Sequence, residues 1–176
     1  MKASRIGLFL TVALLAGCGG GGDAADVPDG FQQFDGGTYT FAHPSGWPMI
    51  EAETTKGAQG PKGTGGLAPQ AAVSSGQSPA VDLETILMGF QADNLVRRGN
   101  WKIVRQEDVE IEGAKEARLT EARYDELTGD TTTPVRTIDI HARTEDGMLY
   151  DFGVRAPEAD FDRDRLREVI ETFRIK

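Results

Sequence analysis

The sequence predicts an α+β sandwich, an antiparallel sheet covered by two amphipathic helices. Strand-like segments with a period of two recur between residues 101 and 156, each with one apolar face. Two segments, Val81–Arg97 and Arg163–Arg174, carry apolar residues at helical spacing. Glu145-Asp146-Gly147 supplies a short hairpin turn between the last two strands, which implies antiparallel pairing.

The N-terminus reads as a targeting segment. Lys2 and Arg5 precede an eleven-residue apolar stretch, Ile6–Ala16, the layout of a secretory signal. That stretch is shorter than the roughly 20 residues a membrane span needs. Leu15-Ala16-Gly17-Cys18 looks like a bacterial lipobox, which implies diacylation of Cys18 and cleavage before it. A thiolate is the side-chain nucleophile best suited to take up a thioether-linked lipid. Cys18 is the only cysteine, so the chain offers it no disulfide partner. Each buried acyl methylene contributes about 0.8 kcal/mol, and one chain alone holds marginally. Two or three chains of the palmitate type therefore anchor firmly. The expected organisation is a signal peptide over 1–17, a lipidated Cys18 with a Gly/Asp-rich tether over 18–30, and one α+β domain over 31–176.

Charge narrows the partners. Without Lys2 and Arg5, 17 basic residues face 28 acidic ones, a formal charge of −11. Such a surface disfavours nucleic acid and gives no polybasic attraction to anionic lipid. Membrane association is expected to rest on the lipid of Cys18.

The elements follow in order. Tyr39 and Phe41 alternate with Thr38, Thr40 and Ala42 as a half-buried strand, ended by Pro44, Gly46 and Pro48. Trp47 is expected at the core edge. Residues 54–66 read as a Gly-rich loop, and 67–74 as a poorly formed strand. Asp82 is the expected N-cap of the first helix, with Val81 and Ile86 as a hydrophobic staple and Leu83, Ile86, Leu87 and Phe90 as its apolar face. Four strands come next. In the third, Ile138, Ile140 and Ala142 face inward while Asp139, His141 and Arg143 face solvent; in the fourth, Met148, Tyr150, Phe152 and Val154 face inward. Asp162 is the N-cap candidate of the second helix, Phe161 and Leu166 its staple, and Leu166, Val169, Ile170 and Phe173 its stripe.

No catalytic signature emerges. Asp160, Asp162, Asp164, Glu168 and Glu171 match positions of a calcium loop, but Arg165 stands where the turn requires glycine. A helix starting at Arg163 also scatters those carboxylates around its axis. His43 and His141 are the only histidines, short of the three or four ligands of a zinc site. His141 is expected exposed and His43 structural. None of the five serines sits in a nucleophile elbow, and no phosphate loop or dinucleotide fingerprint appears. No catalytic, cofactor-binding or metal residue is assigned.

Several segments together resemble the PsbP-like superfamily, whose bacterial members include LpqN-type lipoproteins of actinobacteria. Tyr39, Phe41, Pro44, Gly46 and Trp47 match its opening segment; Gly113, Ala114 and Ala117 its mid-chain segment; Phe173 and Arg174 its final aromatic-Arg pair. The resemblance spans about residues 34–176. It implies an α/β/α sandwich around an antiparallel sheet and a role in binding rather than catalysis. The expected protein is a lipid-anchored accessory lipoprotein without catalytic activity, on the extracytoplasmic face of the cell membrane and with an unidentified protein partner. The alternatives are a cell-envelope hydrolase using acidic residues, and a small-ligand or metal carrier using loop 54–66 with Trp47 and Trp101.

Overall fold

Alternating apolar and polar residues, rich in Val, Ile, Tyr and Thr, favour extended chain. In the computed structural model, which describes residues 27–78, 81–161 and 163–176, that preference dominates. The described residues form β1 (Phe31–Asp35), β2 (Tyr39–Pro44), β3 (Met49–Glu51), β4 (Thr55–Gln59), β5 (Gln70–Gln77), α1 (Leu83–Arg97), β6 (Gly99–Asp108), β7 (Glu116–Thr128), β8 (Thr131–Arg143), β9 (Met148–Pro157), α2 (Arg163–Glu171) and β10 (Arg174–Ile175). Seven strands make one antiparallel sheet in the order β3-β4-β5-β9-β8-β7-β6. Three make a second, in the order β1-β2-β10.

The main core lies between these sheets. Leu119, Ile138, Ile140, Tyr150, Phe152 and Val154 line one face of the large sheet. Phe41 of β2 meets Phe152 at 4.9 Å, and Phe173 stacks on Phe152 at 4.7 Å between ring centroids. Helix α2 adds Leu166, Val169 and Ile170 to the same layer.

The expected α/β/α sandwich, with two amphipathic helices covering one sheet, is therefore corrected: this is a two-sheet, strand-dominated fold. The expectation gave residues 31–44 only one strand, around Tyr39 and Phe41. The segment forms a hairpin instead, which brings Phe31 and Phe34 into the core beside Phe41. The chain leaves α2 at Glu171, and β10 pairs with β2, so a sheet supplies much of the layer assigned to helices.

Helix α1, unlike α2, is only weakly amphipathic. It buries Leu83 and Leu87, while Leu95 and Val96 are 64% and 87% exposed. Its N-cap is as expected, since the Asp82 carboxylate accepts a hydrogen bond from the Thr85 amide at 2.7 Å, whereas Val81 of the expected staple is exposed. Asp162, the N-cap expected for α2, lies outside the described residues.

The Gly-rich stretch 54–66 is also not a plain loop. It contains β4 and a 3₁₀ turn at Thr64–Gly66, and β5 after it is an interior strand between β4 and β9. The turn is pinned: Asp160 accepts from the Thr64 amide at 2.5 Å and from the Thr64 hydroxyl at 2.8 Å. Gly65 has φ +65°, and a Cβ there would stand 1.9 Å from Thr133 Oγ1. Only glycine fits that contact.

Candidate functional site

The second face of the large sheet is polar where the first is apolar. Directly opposed residues share a face, so the strand register arranges it in rows. One row runs Thr55, Ser74, Asp151, His141, Arg118. The next runs Ala72, Gly153, Asp139, Thr120, and a third runs Gln70, Arg155, Thr137, Ala122. Helix α1 covers part of this face, packing on β6 and β8 with the Phe90 ring 4.4 Å from the His141 ring. Glu84 in its first turn reaches Arg118 at 3.9 Å, and Arg118 also holds Asp108 at 2.6 Å.

Three titratable groups converge beside α1. His141 is 2% exposed, not on the solvent face expected for it, because Phe90 closes over it. Its Nε2 lies 3.6 Å from Asp151 Oδ1, and neither ring nitrogen makes a hydrogen bond. Burial lowers the imidazole pKa, and Asp151 opposes that only in part. Asp151 itself is raised by its confinement, with His141 pulling the other way, although its side chain keeps 38% exposure at the rim. Asp139 is pushed well above the ordinary carboxylate range by burial and then by the charge of Asp151. The Thr137 hydroxyl donates to Asp139 Oδ2 at 2.9 Å, which offsets part of that push. Opposite Asp139 stands Gly153, where a Cβ would come within 2.7 Å of Asp139 Oδ1. Glycine there makes room for the carboxyl.

The order of groups limits the chemistry. A serine nucleophile needs the imidazole next to its hydroxyl and the carboxylate beyond. In this row the carboxylate of Asp151 stands between Ser74 and His141, and the Ser74 hydroxyl hydrogen-bonds to Thr55 at 2.8 Å. The cluster can hold protons, but its imidazole does not adjoin that hydroxyl.

Beside the cluster the same face opens into a cavity of about 150 Å³. Gln70, Tyr124, Val135 and Arg155 form its sheet wall, and Lys62, Leu67 and Ala68 of the pinned loop form the other. The Arg155 Nε donates to Gln70 Oε1 at 2.9 Å. Tyr124 is buried, with the Arg98 guanidinium 4.6 Å above its ring and Trp101 at 5.8 Å. Burial raises the Tyr124 hydroxyl pKa, while Arg155 and Arg98 pull it down.

The structure separates the sequence-level candidates. His43 lies on β2, facing the core, with Nδ1 3.1 Å from the Pro44 carbonyl oxygen and Trp47 beside it. His43 and His141 thus sit on opposite sides of the large sheet and are not brought together. Trp101 lies under α1 and Trp47 on the core side, so they do not line one pocket. Asp160 spends its carboxylate on Thr64, while Asp162 and the side chain of Asp164 lie outside the described residues. Among the described residues no group of three or more His, Cys, Asp and Glu is placed to hold a metal ion. Cys18 and the expected signal segment also lie outside the described residues.

Asp139, Asp151, Arg155 and Tyr124 carried no motif. Their signal was the strand pattern itself: a second polar face, with Gly153 opposite an acid.

No protein-family model matches the chain, and no curated protein matches its sequence. Solved structures do match. LpqN of Mycobacterium tuberculosis, described as involved in cell envelope biogenesis, is 15% identical with a TM-score of 0.55, over 83% of this chain and 91% of that one. The Saccharomyces cerevisiae Ran-binding protein Mog1p is 14% identical with a TM-score of 0.54, over 82% and 95%. PA94 of Pseudomonas aeruginosa, a protein of unknown function, is 11% identical with a TM-score of 0.53, over 81% and 94%. At these identities the match is one of fold, and the chain shares the fold of these three proteins.

Proposed function

We propose that the protein is a lipid-anchored, extracytoplasmic accessory protein of a bacterial cell envelope, an LpqN-type member of the PsbP-like superfamily that binds a protein partner and has no catalytic activity. One observation carries the reading: a lipobox-type cysteine, Cys18, precedes a region with the fold of an envelope-biogenesis protein. Binding rather than turnover is supported by the order Ser74, Asp151, His141, which puts the base out of line with the hydroxyl. The test is expression of the full chain in a bacterium that processes prolipoproteins. Intact mass is expected to show loss of residues 1–17 and acyl chains on Cys18, with the protein in the membrane fraction. Cys18→Ser is expected to be soluble or unprocessed; a variant that is unlipidated yet still sediments with membranes overturns the reading.

A further inference from the structure

The cavity beside Arg155 has a charge unlike the rest of the molecule. The chain carries a formal −9, yet two cations, Arg155 and Lys62, border this small space. Neither has a carboxylate within ion-pair distance among the described residues. The acid on the cavity wall, Glu126, is taken by the Arg98 guanidinium. On the neighbouring row Asp139 lies beyond ion-pair reach of Arg155 and leans toward its neutral form. Arg155 is held by neutral partners instead, with Gln70 accepting from its Nε and the Tyr124 hydroxyl within its influence. Held by Gln70 through Nε and by the Tyr124 hydroxyl, the planar guanidinium is fixed in place to meet a planar acceptor in the cavity. Leaving such a charge half-buried without a direct ion-pair partner is unfavourable, and an anion in the cavity relieves it.

Shape narrows the anion. Leu67, Ala68, Val135 and Pro157 give the cavity apolar walls, and its volume of about 150 Å³ matches engineered cavities that take a benzene-sized body. The loop wall is already in place, since Asp160 fixes Thr64, Gly63 donates to the Leu67 carbonyl at 2.7 Å and Gly60 to that of Pro69 at 2.8 Å. A preformed wall lowers the entropy lost on binding.

We propose that this pocket binds a small organic carboxylate, its anionic group on Arg155 and its apolar body between the loop at Leu67 and the sheet at Val135. The proposal deepens the reading of the protein as a binder, but it is independent of the anchor. Fractionation decides the anchor and calorimetry decides the pocket, so either can fail alone.

The test uses the full chain in detergent, whether or not it is acylated, titrated with benzoate, with benzamide as the uncharged isostere and with inorganic phosphate. Benzoate is expected to bind saturably with a Kd of about 1 mM or tighter, within the reach of so small a ligand. Benzamide, and benzoate on Arg155→Gln, are each expected to bind at least about tenfold more weakly. Leu67→Trp, which fills the cavity from the loop side and spares the arginine, is expected to abolish binding. Amide shifts in the unaltered protein are expected at Leu67, Gln70, Val135 and Arg155, a readout that stands even if a variant fails to fold. Equal binding of benzamide, undiminished binding to Arg155→Gln, displacement of benzoate by phosphate, shifts confined elsewhere, or no saturable binding each overturn the proposal.

Discussion

Burial and the neighbouring Asp151 both push the Asp139 carboxyl above its ordinary value, so the folded protein holds that proton when the unfolded chain has released it. Stability from this group is present below the unfolded value of 3.8 and is lost as pH rises through the raised folded value. Asp139→Asn is therefore expected to stabilise the protein at pH 8 by about 1–3 kcal/mol, the usual cost of an ill-satisfied buried polar group. At pH 4 the gain is expected to vanish; thermal denaturation at the two values measures both. His141 works in the other direction. Its pKa is lowered by burial, so below about 6.5 the unfolded chain takes up a proton that the folded state resists, and stability falls with pH. His141→Gln is expected to flatten the loss of stability between pH 7 and pH 5; an unchanged slope shows that the ring titrates as freely as in solvent. Neither effect was legible from the alternation of Ile138, Asp139, Ile140 and His141. That pattern says which residues share a face, but not that α1 folds back to bury the polar one.

Strand β10 and the end of α2 show what a helical periodicity can hide. The stripe Leu166, Val169, Ile170, Phe173 was legible and all four residues are buried, yet the backbone leaves the helix after Glu171. Thr172 marks the change: its hydroxyl accepts from the Ala42 amide at 2.7 Å and donates to the Val169 carbonyl at 2.7 Å, steering the chain alongside β2. Phe173, fully buried, stacks on Phe152 of the large sheet from the β10 side. Phe173→Ala is expected to cost about 3–5 kcal/mol through lost burial and the cavity left behind. Denaturant unfolding measures it, and a change within about 0.5 kcal/mol shows that the ring is not a core residue. The long strands β7 to β9 were legible because they alternate over much of their length, even with a slip in β7 between Leu119 and Ala122. β4 was not, because Thr-Lys-Gly-Ala-Gln has no large apolar residue to alternate. It joins the sheet through backbone pairing and the small buried side chains of Ala58 and Ala71.

At the scale of the whole molecule, the proposed anchor and the folded core belong to different parts of the chain. The apolar core is closed by the second sheet and α2, and among the described residues no helix is long and apolar enough to cross a membrane. The surface is acidic, so electrostatics repels anionic headgroups rather than drawing the protein to them. If acyl chains on Cys18 supply the attachment, it depends on apolar burial, which high salt does not weaken. Surface charge attraction behaves oppositely, since at 1 M salt the Debye length shrinks to about 3 Å and peripheral ionic contacts are screened. Washing native membranes with 1 M sodium chloride is therefore expected to leave the full chain in the pellet, and mild detergent to release it. Cys18→Ser mixed with vesicles rich in anionic lipid is expected to stay in the supernatant even at low salt. Release of the unaltered protein by salt, or retention of Cys18→Ser on those vesicles, shows that the folded surface itself carries the membrane affinity and removes the lipid from the account.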